Sequence, residues 1–101
     1  MLHTINKSPF EKNSMETCFR LAKAGSEILF IEDGVYAVVK GSVVAPKLQQ
    51  ALRGDHAVYA LGPDLKARGI EEDRLIEGVK VVGYDGFVDL AANNDRVQSW
   101  L

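Results

Sequence analysis

Glu27–Ile31 reads EILFI, four apolar residues in succession with no polar alternation. A strand with one wet face alternates between apolar and polar residues, whereas a strand covered on both faces does not. This run therefore demands a layer of structure on each side of a sheet. The rest of the chain supplies the layers. Met1–Ile5, His56–Leu61 (HAVYAL), Val79–Tyr84 (VKVVGY) and Val97–Leu101 (VQSWL) read as further strands. Helical stretches separate them. Asn13 is placed as an N-cap, with Glu16 completing a capping box, and that helix runs to about Ala24 before Gly25 stops it. Asp33 is expected to cap a short helix through Val39. Pro46–Arg53 reads as a helix stopped by Gly54, and Gly62–Arg68 as a short one ended by Gly69. Glu71–Ile76 and Gly86–Ala92 complete the set. Strands joined by helical crossovers predict a three-layer α/β domain, a parallel-stranded sheet with helices on both faces. Ligand sites in such a fold lie beyond the carboxyl ends of the strands. Those positions are Asn6–Phe10, Glu32–Gly34, Gly62–Asp64 and Asp85-Gly86.

The 101 residues suit one domain, residues 1–101, with a modest core. Net charge is −2, and neither a basic run nor an arginine–aromatic cluster marks a nucleic-acid groove, so no direct nucleic-acid partner is expected. No apolar stretch approaches the roughly 20 residues that span a bilayer, and the start, MLHTINKSPF, has no secretory h-region. With one cysteine there is no intrachain disulfide, and the expected compartment is the reducing cytoplasm, away from membranes.

That cysteine, Cys18, is the one group whose chemistry needs weighing. On a helical wheel it lies among Met15, Leu21 and Ala22, the apolar face. Free cysteine is among the most buried residue types, which favours packing. A reactive role needs an accessible thiol with a pKa near or below ambient pH. Other constellations are weaker. Glu32-Asp33 is followed by Asp64 after Gly62-Pro63, but no lysine stands after the fourth strand as a phosphate-receiver site requires, so the pair reads as a helix cap and a solvated turn. His3 and His56 have no metal-ligand spacing and read as structural, so no metal and no cofactor are expected. Asp85 and Asp89 sit around a helix start, where carboxylates are favoured. Phe10, Tyr84, Phe87, Trp100 and Leu101 are more apolar surface than a small domain can cover, which points to a protein partner.

LHTINKSPF (Leu2–Phe10), EDGVYA (Glu32–Ala37), YALGPDLKARG (Tyr59–Gly69), YDGFVDL (Tyr84–Leu90) and VQSWL (Val97–Leu101) resemble, in that order, the pattern of the TusB/DsrH family of sulfur-relay proteins. The resemblance covers essentially the whole chain. It implies the small, flavodoxin-like α/β fold of the DsrE/DsrF/DsrH-like proteins. It also implies assembly with DsrE/TusD-like and DsrF/TusC-like subunits as a dimer of heterotrimers. Such a complex passes persulfide sulfur to a DsrC/TusE-like acceptor, and its main sulfur-accepting cysteine lies on the DsrE/TusD-type subunit. Cys18, NKSPF, GPDLKARG and GFVDL look more like DsrH, which makes dissimilatory sulfur oxidation the first expectation and Cys18 a candidate catalytic persulfide carrier. The alternative is a TusB-type, non-catalytic assembly subunit of the relay that 2-thiolates the wobble uridine of tRNA.

Overall fold

The EILFI run forms strand β2 (Glu27–Phe30), and Ile28, Leu29 and Phe30 have no exposed surface. Both faces of this strand are covered, as its unbroken apolar run requires. β2 lies at the centre of a five-stranded sheet with β1 (Leu2–Ile5), β3 (Ala57–Leu61), β4 (Lys80–Val82) and β5 (Val97–Trp100). The order is β4-β3-β2-β1-β5 and every neighbouring pair is parallel. The computed structural model describes residues 1–54 and 56–101.

The strand order dictates the layers. From β1 to β4 the chain steps across the sheet in one direction, then returns past all of them to place β5 beside β1. Right-handed crossovers that step the same way stack on one face, and a reversed step crosses the other. Accordingly α1 (Ser14–Leu21), α2 (Ala45–Arg53) and α3 (Gly62–Ala67) share one face, with a 3-10 helix (Glu32–Val38) among them. Met15, Cys18, Leu48 and Leu65 pack there with Ile5, Ile28, Phe30, Val58 and Ala60 of the sheet. The opposite face carries α4 (Tyr84–Ala92), which has no buried residue. Beneath it the sheet is more polar. Tyr59 donates to Glu27 at 2.8 Å, Thr4 donates to Ser99 at 3.2 Å, and Asn94 donates to Glu27 at 2.9 Å. Burial and the Glu27 bond raise the Tyr59 hydroxyl above its ordinary pKa.

The layers match the sequence reading, and the element ends depart from it for local reasons. Helix α1 stops at Leu21 because Ala22 turns to extended backbone at ψ 132°. Gly25, with φ +86°, instead serves the turn that Ser26 closes onto the Lys23 carbonyl. The expected capping box does not form. Asn13 makes no side-chain cap, and Glu16 turns to Lys47, 3.0 Å away on α2. Asp33 likewise caps nothing, because Arg68 captures its carboxylate. The segment expected as a helix over Glu71–Ile76 holds only a 3-10 turn, Glu72–Arg74. α4 begins two residues earlier than expected and shortens β4. Gly69 does end α3 as expected, in the left-handed conformation (φ +69°), with Ile70 bonding back to Leu65 and itself to Lys66.

Candidate functional site

Three of the four positions expected beyond the strand ends come together on the carboxyl rim of the sheet. β2 leads into Glu32, a non-glycine residue at φ +49°, a backbone conformation that costs an L-residue about 1–2 kcal/mol. Asp64, in the first turn of α3 directly after β3, holds it there by accepting the Glu32 N–H at 2.7 Å. Arg68 then braces the pair, donating to Asp33 at 2.9 Å from Nη2 and at 3.0 Å from Nε. Gly34 passes so close to β1 that a Cβ there would overlap the Ile5 carbonyl oxygen. In the loop after β1, the buried Ser8 accepts from the Phe10 N–H at 3.2 Å. Asp85 and Gly86 stand at the same end of the sheet but within α4, where Gly86 lies against Val82. Of the carboxylates on this rim, those of Asp64 and Asp33 are spent on backbone and arginine. Among the described residues no three His, Cys, Asp or Glu side chains converge as a metal would need.

The rim also displays apolar side chains. Phe10 follows β1, Tyr36 follows β2, Tyr84 follows β4 and Leu101 follows β5, and all four are exposed. Phe87 and Trp100, expected in the same apolar set, are half-buried. Exposed aromatic groups at one end of a sheet are suited to a protein partner.

Cys18 is elsewhere. It sits on the inner face of α1 with no exposed surface, in the same cluster as Ile5, Met15, Ile28 and Phe30. Burial pushes its thiol up to about 12. Only a thiolate attacks a persulfide, and at pH 8 a thiol with that pKa is ionised in roughly one molecule in ten thousand. Alkylation of the folded chain by iodoacetamide at pH 8 is therefore expected to be at least a thousandfold slower than in urea. Equal rates, measured by intact mass against time, would show that the thiol is reached in the native state.

His3 has a role that spacing does not reveal. It is 4% exposed, and its Nδ1 accepts the indole N–H of Trp100 at 3.0 Å. This bond and the Thr4–Ser99 bond fasten β5 to β1. Burial holds His3 below its ordinary 6.5. The native state thus prefers the neutral ring more than the unfolded chain does, so the His3 contribution is complete above pH 6.5 and is lost as pH falls through the lower native value. Protonation also turns Nδ1 into a donor facing another donor. Denaturation midpoints should fall below pH 6.5, with a change in Trp100 fluorescence, and His3→Gln should flatten that slope.

Comparisons with known proteins cover nearly the full chain. Residues 7–97 match the family model described as DsrH like protein. Protein TusB of Erwinia tasmaniensis is 38% identical over 100 residues, spanning 99% of this chain and 100% of that protein. Protein TusB of Buchnera aphidicola is 36% identical, and that of Photorhabdus laumondii 33%, each with the same coverage. The crystal structure of the ychN protein from E. coli superposes with a TM-score of 0.84 at 18% identity, covering 97% of each chain. MTH1491 of Methanobacterium thermoautotrophicum gives a TM-score of 0.76 at 19% identity, covering 97% of this chain and 96% of that one. At these identities the two structures speak to fold alone. No helix among the described residues is long and apolar enough to cross a membrane.

Proposed function

Because the chain belongs to the DsrH-like protein family, we propose that it is the TusB-type subunit of a bacterial sulfur-relay complex. In this reading residues 1–101 act as one domain that completes an assembly with TusC-like and TusD-like subunits in the cytoplasm. The complex delivers persulfide sulfur to a TusE-like acceptor for 2-thiolation of the tRNA wobble uridine. The observation that carries the reading is the match to proteins named TusB at 33–38% identity over their full length. Sulfur oxidation, the first expectation, drew on Cys18 and on short segments that look like DsrH. The full-length relatives favour the alternative.

Cys18 has a structural part in this reading. Sulfur transfer through it would require a thiol that is both reachable and ionised, and its burial and raised pKa oppose both. The exposed apolar rim supports an assembly role, since a subunit interface is where such side chains find cover.

The test is genetic and chemical. Deleting this gene in its host should abolish 2-thiouridine in tRNA, read by mass spectrometry of nucleosides. Both the wild-type chain and Cys18→Ala should restore it. Normal thiouridine alongside a loss of sulfur oxidation would move the protein to the Dsr branch. Failure of Cys18→Ala to restore thiolation, with the complex still assembled by size-exclusion chromatography, would make Cys18 a carrier.

A further inference from the structure

Helix α4 (Tyr84–Ala92) is rich in apolar residues, yet none of them is buried. Gly86 lies against Val82 of β4, which fixes the side that is turned to the sheet. Phe87, Leu90 and Ala91 share that side and are half-buried. The outward side is divided lengthwise. Tyr84, Val88 and Ala92 stand exposed at i, i+4 and i+8, one row along the helix. Asp85, Asp89 and Asn93 each follow one residue later and form the neighbouring row, also exposed. At 3.6 residues per turn the two rows lie about 100° apart. Half of the outer face is therefore apolar, and the other half is acidic.

Asp85 stands in the first helical turn, where the end of a helix favours a carboxylate. Asp89 has no such local reason. It repeats the charge of Asp85 four residues on, an arrangement that weakens a helix. Neither carboxylate is in an ion pair among the described residues. Tyr84 and Val88 are 62% and 66% exposed. An uncovered apolar row beside a row of unpaired carboxylates is complementary to one kind of surface, an apolar strip bordered by cations.

We propose that the outer face of α4 seats an amphipathic helix of a different protein, with apolar residues that pack on Tyr84, Val88 and Ala92 and a row of Lys or Arg that pairs with Asp85 and Asp89. A ridge of residues four apart is the form in which helices commonly pack on one another. A second copy of this chain does not fit. In an antiparallel two-fold pairing the carboxylates meet their own copies, and in a parallel one they meet Phe87 and Ala91, with no cation in either. A membrane does not fit either, since helices that lie on bilayers carry Lys and Arg on the polar face and α4 carries neither. The seat shares only Tyr84 with the rim and requires no sulfur chemistry.

The test uses the full chain labelled with ¹⁵N and two designed helical peptides of about 18 residues, long enough to hold a helix. Both carry leucine at i and i+4, bordered by lysine in one and by glutamate in the other. The lysine peptide is expected to bind with a dissociation constant below about 1 mM, with amide shifts centred on α4, and the glutamate peptide at least about tenfold more weakly. Asp89→Lys should invert that preference. Val88→Ser should weaken the lysine peptide at least about tenfold. Both positions are exposed, so the thermal midpoints of the variants should stay within a few degrees of the wild type. No saturable shift, equal affinity for the two peptides, or shifts centred away from α4 would each overturn the proposal. Dimerisation of the chain that Val88→Ser abolishes would overturn it in favour of a second copy. Binding to phosphatidylcholine–phosphatidylglycerol vesicles that Val88→Ser abolishes would overturn it in favour of a membrane.

Discussion

Phe30→Ala is expected to lower the free energy of unfolding by about 3–5 kcal/mol, enough to leave the isolated chain partly unfolded at 37 °C. Phe30 heads the fully buried side chains and sits at the carboxyl end of the central strand. Its ring meets Phe19 of α1 edge to face, with centroids 6.5 Å apart. Truncation removes a large apolar area from the core and leaves a cavity between sheet and helix. The backbone on both sides is fixed by β1 and β3, which pair Phe30 with Ile5 and Ala60, so the site has little freedom to collapse. Urea denaturation followed by Trp100 fluorescence measures the loss. Phe10→Ala is the comparison. Phe10 is 60% exposed, and its removal should cost no more than about 0.5 kcal/mol. A loss below about 1.5 kcal/mol for Phe30→Ala would mean that the neighbours close the gap.

Gly34→Ala is expected to cost at least about 3 kcal/mol, although it adds a single methyl group. The new Cβ would collide with the Ile5 carbonyl oxygen, which is backbone and cannot rotate away. That oxygen is also committed, accepting the Ile31 N–H at 3.0 Å. Relief therefore requires the 3-10 helix after β2 to lift from β1, which would also pull at Glu32 and the Asp64 contact beneath it. Gly83→Ala separates this effect from the general cost of removing a glycine. A Cβ at Gly83 meets nothing within 4 Å, so that substitution should change stability by about 1 kcal/mol or less. Similar thermal midpoints for the two variants would show that the close approach at Gly34 is easily relaxed.

The sheet was legible because its signals are local. EILFI carries its own burial in four residues, and VQSWL carries its strand character however far away its partner lies. The burial of Cys18 was legible from the wheel in part: Met15 and Cys18 share one face and both are buried, but Leu21, expected on the same face, is exposed at the end of the helix. What could not be read depended on partners distant in sequence. Asn13 and Glu16 fit a capping box, but Lys47 offered Glu16 a cation from another helix. Asp33 lost its capping role to Arg68, 35 residues on. The His3–Trp100 bond joins residues 97 apart, and periodicity holds no trace of it. Apolar patterns report which face is covered, while polar side chains choose partners only after the layers have met.

The strand order has a further consequence, for the timing of synthesis. β1 is the first strand made and β5 the last, yet they are neighbours in the sheet. Strands β1 to β4 can zip together as each leaves the ribosome, every new one joining an edge just formed. The outer edge of β1 must wait. At about 5–20 residues per second, the segment from the end of β4 to the end of β5 takes on the order of a second or more to make. Throughout that interval Leu2–Ile5 presents a row of open hydrogen-bonding groups to any other nascent chain. The polysome is thus where this fold is most exposed to mispairing, and a ribosome that stalls before Val97 would release a sheet with its oldest strand uncovered.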